Sequence, residues 1–124
     1  MNQSNKKILR RRDDAEFLKE SIGVSADDCF YMNENDDPSL IESMVVEIKK
    51  KYPKISLGLD SIGGGKITNA MMECLSPGGK IIIYGALAKD PTFKVQANLL
   101  ILKSISITGF TLLEVCQIKS FVAL

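Results

Sequence analysis

The sequence predicts an α/β fold built on a doubly wound parallel sheet. Three observations carry this expectation. Short apolar or β-branched runs alternate with amphipathic stretches in the order β-α-β-α-β-α-β-α-β-α, and strands separated by helices pair in parallel through crossovers. One run, "KIIIYG" (Lys80–Gly85), is apolar on both faces, as suits a strand covered by helices on both sides. Glycine-rich segments, "SIGGGK" and "SPGG", stand where strands and helices should exit into turns.

Each element has its own reason. "KKILR" (Lys6–Arg10) is a short strand, and "DDAEFLKESIG" (Asp13–Gly23) is a helix with acids at its start and a glycine stop. "DCFYM" (Asp28–Met32) is a second short strand, followed by the turn "NENDD". The clearest helix comes next. Asp37 is its N-cap and Pro38 its first residue. Leu40, Ile41, Met44, Val45 and Ile48 share one face, and Lys49–Lys51 fill the last turn before Pro53. "ISLGLD" (Ile55–Asp60) reads as a buried strand with "SIGGGK" as its exit. Ile67, Ala70, Met71, Cys74 and Leu75 form a second apolar helical stripe. "SPGG" (Ser76–Gly79) is a tight turn into Lys80–Gly85. A loop from Ala86 to Gln96 leads to the short helix "NLLILK", the strand "SISITGF" (Ser104–Phe110) and a last helix over "LLEVCQIKSFVAL".

Composition narrows the function. The chain has 124 residues, 45% hydrophobic and 25% charged, with 16 Lys plus Arg against 15 Asp plus Glu. That is one modest domain with a real core. Its balanced charge points to neither a nucleic acid nor a membrane surface. There is no His, so the usual neutral-pH acid/base group and the commonest zinc ligand are both missing. Cys29, Cys74 and Cys116 are odd in number, far apart and form no CxxC; they read as reduced thiols of an intracellular compartment rather than a disulfide or zinc site. No apolar run is long enough to span a bilayer. The opening "MNQSNKKILRRRDD" lacks an apolar signal region, and its aspartates are unlike an acid-poor transit peptide.

Ligands of such sheets bind beyond the carboxyl ends of the strands. Four stretches fall there: Arg10–Arg12, Asp60–Gly65, Tyr84–Leu87 and Phe110–Leu112. In a dinucleotide-binding fold, arginine at the end of the second strand accommodates a 2′-phosphate, which it grips in bidentate fashion. Arg10–Arg12 are therefore either an NADP-selective turn or a solvated patch paired with Asp13 and Asp14. "DSIGGGK" (Asp60–Lys66) is not G-x-G-x-x-G and not a P-loop. It reads as a tight turn rather than a phosphate cradle, with Asp60 either capping or bonding inside the turn. "YGALAK" ends its strand on a phenol and small residues: Tyr84 is a core aromatic with its hydroxyl at the rim, or packs on a flat ring lying against the backbone. "GFTLLE" (Gly109–Glu114) repeats the form.

From Leu57 to Leu113 the chain resembles the later half of the cofactor domain of medium-chain dehydrogenase/reductases, in their zinc-independent branch. The pieces "D-x-I-G-G", "L-x-P-G-G-K", "YG-x-x-A-K-x-P", "LL-I-x-K" and "GF" carry the likeness. "YGALAKDP" (Tyr84–Pro91) is similar to the segment that meets the nicotinamide end of NADPH in mitochondrial trans-2-enoyl-CoA reductases, and "ILRRRDD" resembles their strand-two turn. The resemblance implies NADPH contacts from Arg10, Arg11, Arg12, Tyr84, Gly85, Ala86, Leu87, Phe110, Thr111 and Leu112. Ala86 and Leu87 stand where Gly or Met is frequent, and Thr111 where an aromatic is common, so backbone contacts are the safer part of this set.

The same resemblance implies a Rossmann-like sheet that is incomplete: residues 1–124 would be a single partial dinucleotide-binding domain, without the first strand, its Gly-rich turn and the N-terminal catalytic domain. In the order 3-2-1-4-5-6 the first strand is central, so without it either strand two pairs directly with strand four or two unpaired edges face each other across a gap. Weak cofactor binding follows, and no catalytic residue lies in this chain. The implied parent activity is NADPH-dependent reduction of 2-enoyl thioesters in fatty acid synthesis. A quinone or enone reductase of the same superfamily and a non-catalytic Rossmann-like remnant acting in protein interaction are the alternatives. The implied substrate is an acyl thioester, with no nucleic acid or membrane partner, a homodimer as the candidate assembly and a mitochondrial matrix or, alternatively, cytoplasmic location.

Overall fold

The computed structural model describes residues 7–9 and 29–111. The helices expected over Asp13–Gly23 and from Leu112 onward lie outside them, as does Cys116. In chain order the described elements are β1 (Lys7–Leu9), β2 (Cys29–Tyr31), α1 (Pro38–Lys51), β3 (Leu57–Asp60), α2 (Gly65–Cys74), β4 (Lys80–Ile83), α3 (Ala97–Lys103) and β5 (Ser106–Gly109). The strand–helix alternation is as expected, and every strand pair is parallel. The ladders make two sheets, β1-β2 and β3-β4-β5. The chain divides into two compact units, Met1–Met44 and Val45–Leu124, at a point within α1.

In the first unit, Lys7 pairs with Cys29 and Leu9 with Tyr31. The turn after β2 closes through the Asp36 N–H on the Asn33 carbonyl (3.0 Å) and the Asn33 N–H on Asp36 Oδ2 (2.8 Å). Asp37 then caps α1 as its position demands: its Oδ1 accepts the Ser39 N–H at 2.9 Å and the Ser39 hydroxyl at 2.8 Å. Ile41, Val45 and Ile48 of α1 are buried, whereas Leu40 is exposed. The buried stripe is thus narrower than the sequence spacing implied.

The second unit holds the three-stranded sheet. Gly58, Ile81 and Ile107 align across it on one face, and Leu59, Ile82 and Thr108 on the other. The first face is the core. Met72, Leu75, Ile81 and Ile105 are buried together there, with Met71, Ile83, Phe93, Leu99 and Ile107 packed on them. Both crossovers, β3–α2–β4 and β4–α3–β5, advance in the same direction across the sheet. Right-handed connections therefore place both helices on the same side. The second face stays open, with Leu57 52% and Leu59 57% exposed. This corrects two expectations: β3 is not a fully buried strand but alternates, and β4 is covered on one side only.

The amino ends of the strands are held by the "SPGG" turn. The Gly79 N–H donates to the Ser76 carbonyl at 2.9 Å, and Gly78 has φ +79°. Pro77 at the second position and a left-handed glycine at the third are the signature of a type II turn. Ser76 also donates from N–H and hydroxyl to the Ile55 carbonyl (2.8 and 2.9 Å). Lys103 Nζ reaches the carbonyls of Glu73 (3.3 Å) and Leu75 (3.2 Å), where cations suit the carboxyl end of α2. Partial burial there, and secondarily the charge of Lys49, lower its pKa.

Cys74 is buried at the end of α2, and burial pushes its thiol up to about 11 against an ordinary 9.0. The folded chain therefore holds this proton more tightly than the unfolded one. The stabilising contribution is fully present below pH 9.0 and is lost as pH rises toward 11. Unfolding titrations should show the wild type losing stability between these pH values more steeply than Cys74→Ala, by roughly 2 kcal/mol. Equal slopes would contradict the placement, as would rapid reaction of native Cys74 with a disulfide reagent at pH 8.

Candidate functional site

The ladders run one residue past the named strands. The Tyr84 N–H donates to the Asp60 carbonyl and the Phe110 N–H to the Ile83 carbonyl, both at 2.9 Å. Asp60, Tyr84 and Phe110 thus stand in order along the carboxyl edge of β3, β4 and β5. Alternation sends Tyr84 and Phe110 to the open face and Asp60 to the covered one. Tyr84 is 42% and Phe110 46% exposed, while Asp60 is 1% exposed. With Leu59, Ile82, Thr108 and Gly109, the two aromatics line a shallow apolar groove of about 470 Å³.

Below that rim, two loops interlock. Asp60 Oδ1 accepts the Ile62 N–H at 2.8 Å, and the Gly63 N–H lies 3.3 Å from both carboxylate oxygens. Thr68 on α2, fully buried, donates its hydroxyl to Asp60 Oδ2 at 2.6 Å and accepts the Gly64 N–H at 2.8 Å. The turn so fixed meets the loop after β4. The Ala88 N–H donates to the Ile62 carbonyl and the Gly65 N–H to the Thr92 carbonyl, each at 2.8 Å. One helical turn on, Asn69 Nδ2 donates to the Lys94 carbonyl at 2.8 Å.

The glycines make this approach possible. A Cβ on Gly63 would overlap the Gly85 carbonyl, one on Gly85 would overlap the Ser61 carbonyl, and one on Gly64 would press on Asp90 and Pro91. Gly63 also sits at φ +74°, where a side chain is strained. The triple glycine therefore receives the chain's own loop. The Gly64 and Gly65 N–H groups, which at a helix start could hold an anion, already have partners in Thr68 and Thr92. The tight-turn reading of "SIGGGK" holds, and Asp60 bonds inside it as expected. Thr68 escaped the sequence reading: a threonine in an apolar helical stripe resembles its neighbours, and only its eight-residue spacing from a strand-end Asp marks it.

Of the cofactor-contact set, Tyr84, Gly85, Ala86, Leu87, Phe110 and Thr111 lie on this one edge. Ala86 and Leu87 are exposed, between the tie at Gly85 and the tie at Ala88. Arg10, Arg11, Arg12 and Leu112 lie outside the described residues. Among the described residues, no group of His, Cys, Asp or Glu could hold a metal ion, and no helix is long and apolar enough to cross a membrane.

No family model matches the chain. It is 31% identical over 104 residues to the mitochondrial enoyl-[acyl-carrier-protein] reductase of Caenorhabditis elegans, which covers 83% of the chain and 27% of that protein. It is 37% identical over 65 residues to the enzyme of the same name from Mus musculus, covering 52% and 17%. The chain resembles a stretch of the medium-chain dehydrogenase/reductases. Solved structures agree in fold. One from Mesorhizobium loti, assigned as an NADPH:quinone reductase, superposes with a TM-score of 0.60 at 26% identity over 94% of this chain and 31% of its own. The mitochondrial 2-enoyl thioester reductase heterodimer of Candida tropicalis gives 0.61 at 20%, covering 89% and 30%. The α/β, Rossmann-like architecture is that of these neighbours, and the chain spans about a quarter of the length of the worm relative.

The interlock predicts unequal tolerance of alanine. Gly85→Ala should cost more than about 1 kcal/mol, because backbone must move to admit its methyl group. Gly109→Ala, with nothing near its Cβ and no positive φ, should stay within about 0.5 kcal/mol. Chemical denaturation of both variants checks this; equal losses would contradict it.

Proposed function

We propose that residues 1–124 act as part of a dinucleotide-binding domain that, with a companion catalytic domain, reduces 2-enoyl thioesters with NADPH. The observation that carries the reading is the gathering of Tyr84–Leu87 and Phe110–Thr111 on one carboxyl edge of a parallel sheet, in a chain similar over 104 residues to a mitochondrial enoyl-[acyl-carrier-protein] reductase. The residues fit one end of the cofactor. The exposed residues Ala86 and Leu87 and the partly exposed Tyr84 offer a surface for a nicotinamide, whereas the glycine turn is filled by its own loop and offers no phosphate cradle. Bound NADPH would supply a hydride to the β-carbon of the unsaturated acyl group, and a proton taken up at the α-carbon would complete the reduction. Tyr84, Gly85, Ala86, Leu87, Phe110, Thr111 and Leu112 orient the ring, and Arg10, Arg11 and Arg12 hold the 2′-phosphate. The charge that develops on the thioester oxygen needs a donor, which this reading assigns to the companion domain; this chain carries no catalytic residue. A mitochondrial location and a homodimer through the Ser104–Phe110 segment complete the proposal.

A quinone or enone reductase is the second reading, favoured by the Mesorhizobium loti neighbour. A protein-interaction module without catalysis is the third, and the open apolar face is what favours it.

A thermal-unfolding series of the full chain with NADPH, NADH and neither nucleotide separates them. NADPH at ten times its dissociation constant should raise the midpoint by about 5 °C, with a smaller shift from NADH. Absence of a shift with either nucleotide, together with concentration-dependent assembly, would overturn the cofactor reading in favour of the interaction module.

A further inference from the structure

We infer that Thr68, acting through Asp60, is a positioning residue for the Ala86–Leu87 segment of the rim, with Asn69 as its second anchor. The inference rests on the reading of that rim as the nicotinamide platform. Neither residue faces the groove, and Thr68 is fully buried. Their influence runs through hydrogen bonds that form one continuous path. The Thr68 hydroxyl holds Asp60 Oδ2 and receives the Gly64 N–H, so it fixes both ends of the 60–64 turn. Asp60 also holds the Gly63 N–H, 3.3 Å from both carboxylate oxygens, and that N–H shares a peptide plane with the Ile62 carbonyl and so sets its direction. That carbonyl receives the Ala88 N–H, the residue after Leu87. On the near side, Gly85 lies against the Ser61 carbonyl at a separation that admits no Cβ. Ala86 and Leu87 therefore span a two-residue bridge whose supports both belong to the turn that Thr68 closes. Asn69 exchanges two hydrogen bonds with Lys94 (2.8 and 3.3 Å) and holds the far end of the same loop against α2.

This arrangement separates positioning from general stability. Thr68 and Asn69 are not among the residues of the sheet's core cluster, Met72, Leu75, Ile81 and Ile105. The Tyr84 N–H is bonded to the Asp60 main-chain carbonyl and not to its carboxylate. Removing the Thr68 hydroxyl should thus free the loop while leaving the strand ladder in place.

The test compares Thr68→Val, Thr68→Ser and Asn69→Ala in the full chain, by amide hydrogen exchange without nucleotide and by NADPH titration. In Thr68→Val, exchange at Ala88 and Gly65 should accelerate about tenfold or more, while the Tyr84 and Phe110 amides stay within about twofold of wild type. Thr68→Ser keeps the hydroxyl and should restore both loop amides. Asn69→Ala, which leaves no buried polar group stranded, should loosen the loop more mildly and stands in if Thr68→Val does not fold. The NADPH dissociation constant should rise about tenfold in Thr68→Val and recover in Thr68→Ser. Uniform acceleration across the sheet would overturn the inference, because it marks a merely structural threonine. So would unchanged loop exchange in both Thr68→Val and Asn69→Ala. Failure of the wild type to bind NADPH would sink the proposed function, and the exchange data would still decide whether Thr68 sets the loop.

Discussion

The interlocked loops at the carboxyl edge depend on one buried carboxylate. Asp60 ends β3 with its side chain turned into the protein, where an unpartnered polar group would cost several kcal/mol. It is satisfied by donors close in sequence, the Ile62 and Gly63 N–H groups, and by one hydroxyl from α2, that of Thr68. No buried side-chain polar atom among the described residues lacks a partner. A carboxylate so enclosed forces the chain into a compact turn at once. That turn then presents carbonyls at Ser61 and Ile62 against which the next loop can lie. The shape of the rim follows from how β3 ends.

The open face of the sheet has a different cause and sets a different demand. Two right-handed crossovers in the same direction put α2 and α3 on one side, so Leu57, Leu59, Ile82, Tyr84 and Phe110 share a face that these helices do not cover. A nicotinamide lying at the carboxyl edge would shield Tyr84 and Phe110. Leu57 pairs with Lys80, four residues before Tyr84, which at about 3.3 Å per residue puts it roughly 13 Å from that edge. A flat ring does not reach it. Binding a cofactor and covering the apolar face are therefore separate tasks, and the second calls for a larger surface.

Much of the fold was legible because local signals agreed with tertiary ones. Asp37 caps, Pro38 opens and lysines close α1; Pro77 and Gly78 make the turn their order implies; the α2 stripe buries Ile67, Ala70 and Cys74. Burial of strand faces was less legible. Three isoleucines in a row say that both faces of β4 are apolar, but the side on which crossovers fall decides which face is covered, and that is a property of handedness and strand order. Of the candidate site, the edge that gathers Tyr84–Leu87 with Phe110 follows from parallel topology and could be foreseen. Thr68 could not, because its role depends on a hydroxyl meeting a carboxylate eight residues away across a turn.

The glycines show why such motifs mislead. A run of three between a strand and a helix invites a phosphate, since glycine lets a ligand approach the backbone. The same freedom lets another stretch of chain approach, and here Gly63, Gly64 and Gly85 are spent on each other's loops. Sequence cannot separate the two uses, because each requires only the absence of a Cβ. The structural outcome has a functional bearing. A loop already locked by its neighbour has little conformational freedom left to lose when a ligand lies on it, so ordering costs that weaken binding by flexible loops are met during folding instead. The rim's exposed backbone at Ala86 and Leu87 is thus preorganised by contacts made entirely beneath it.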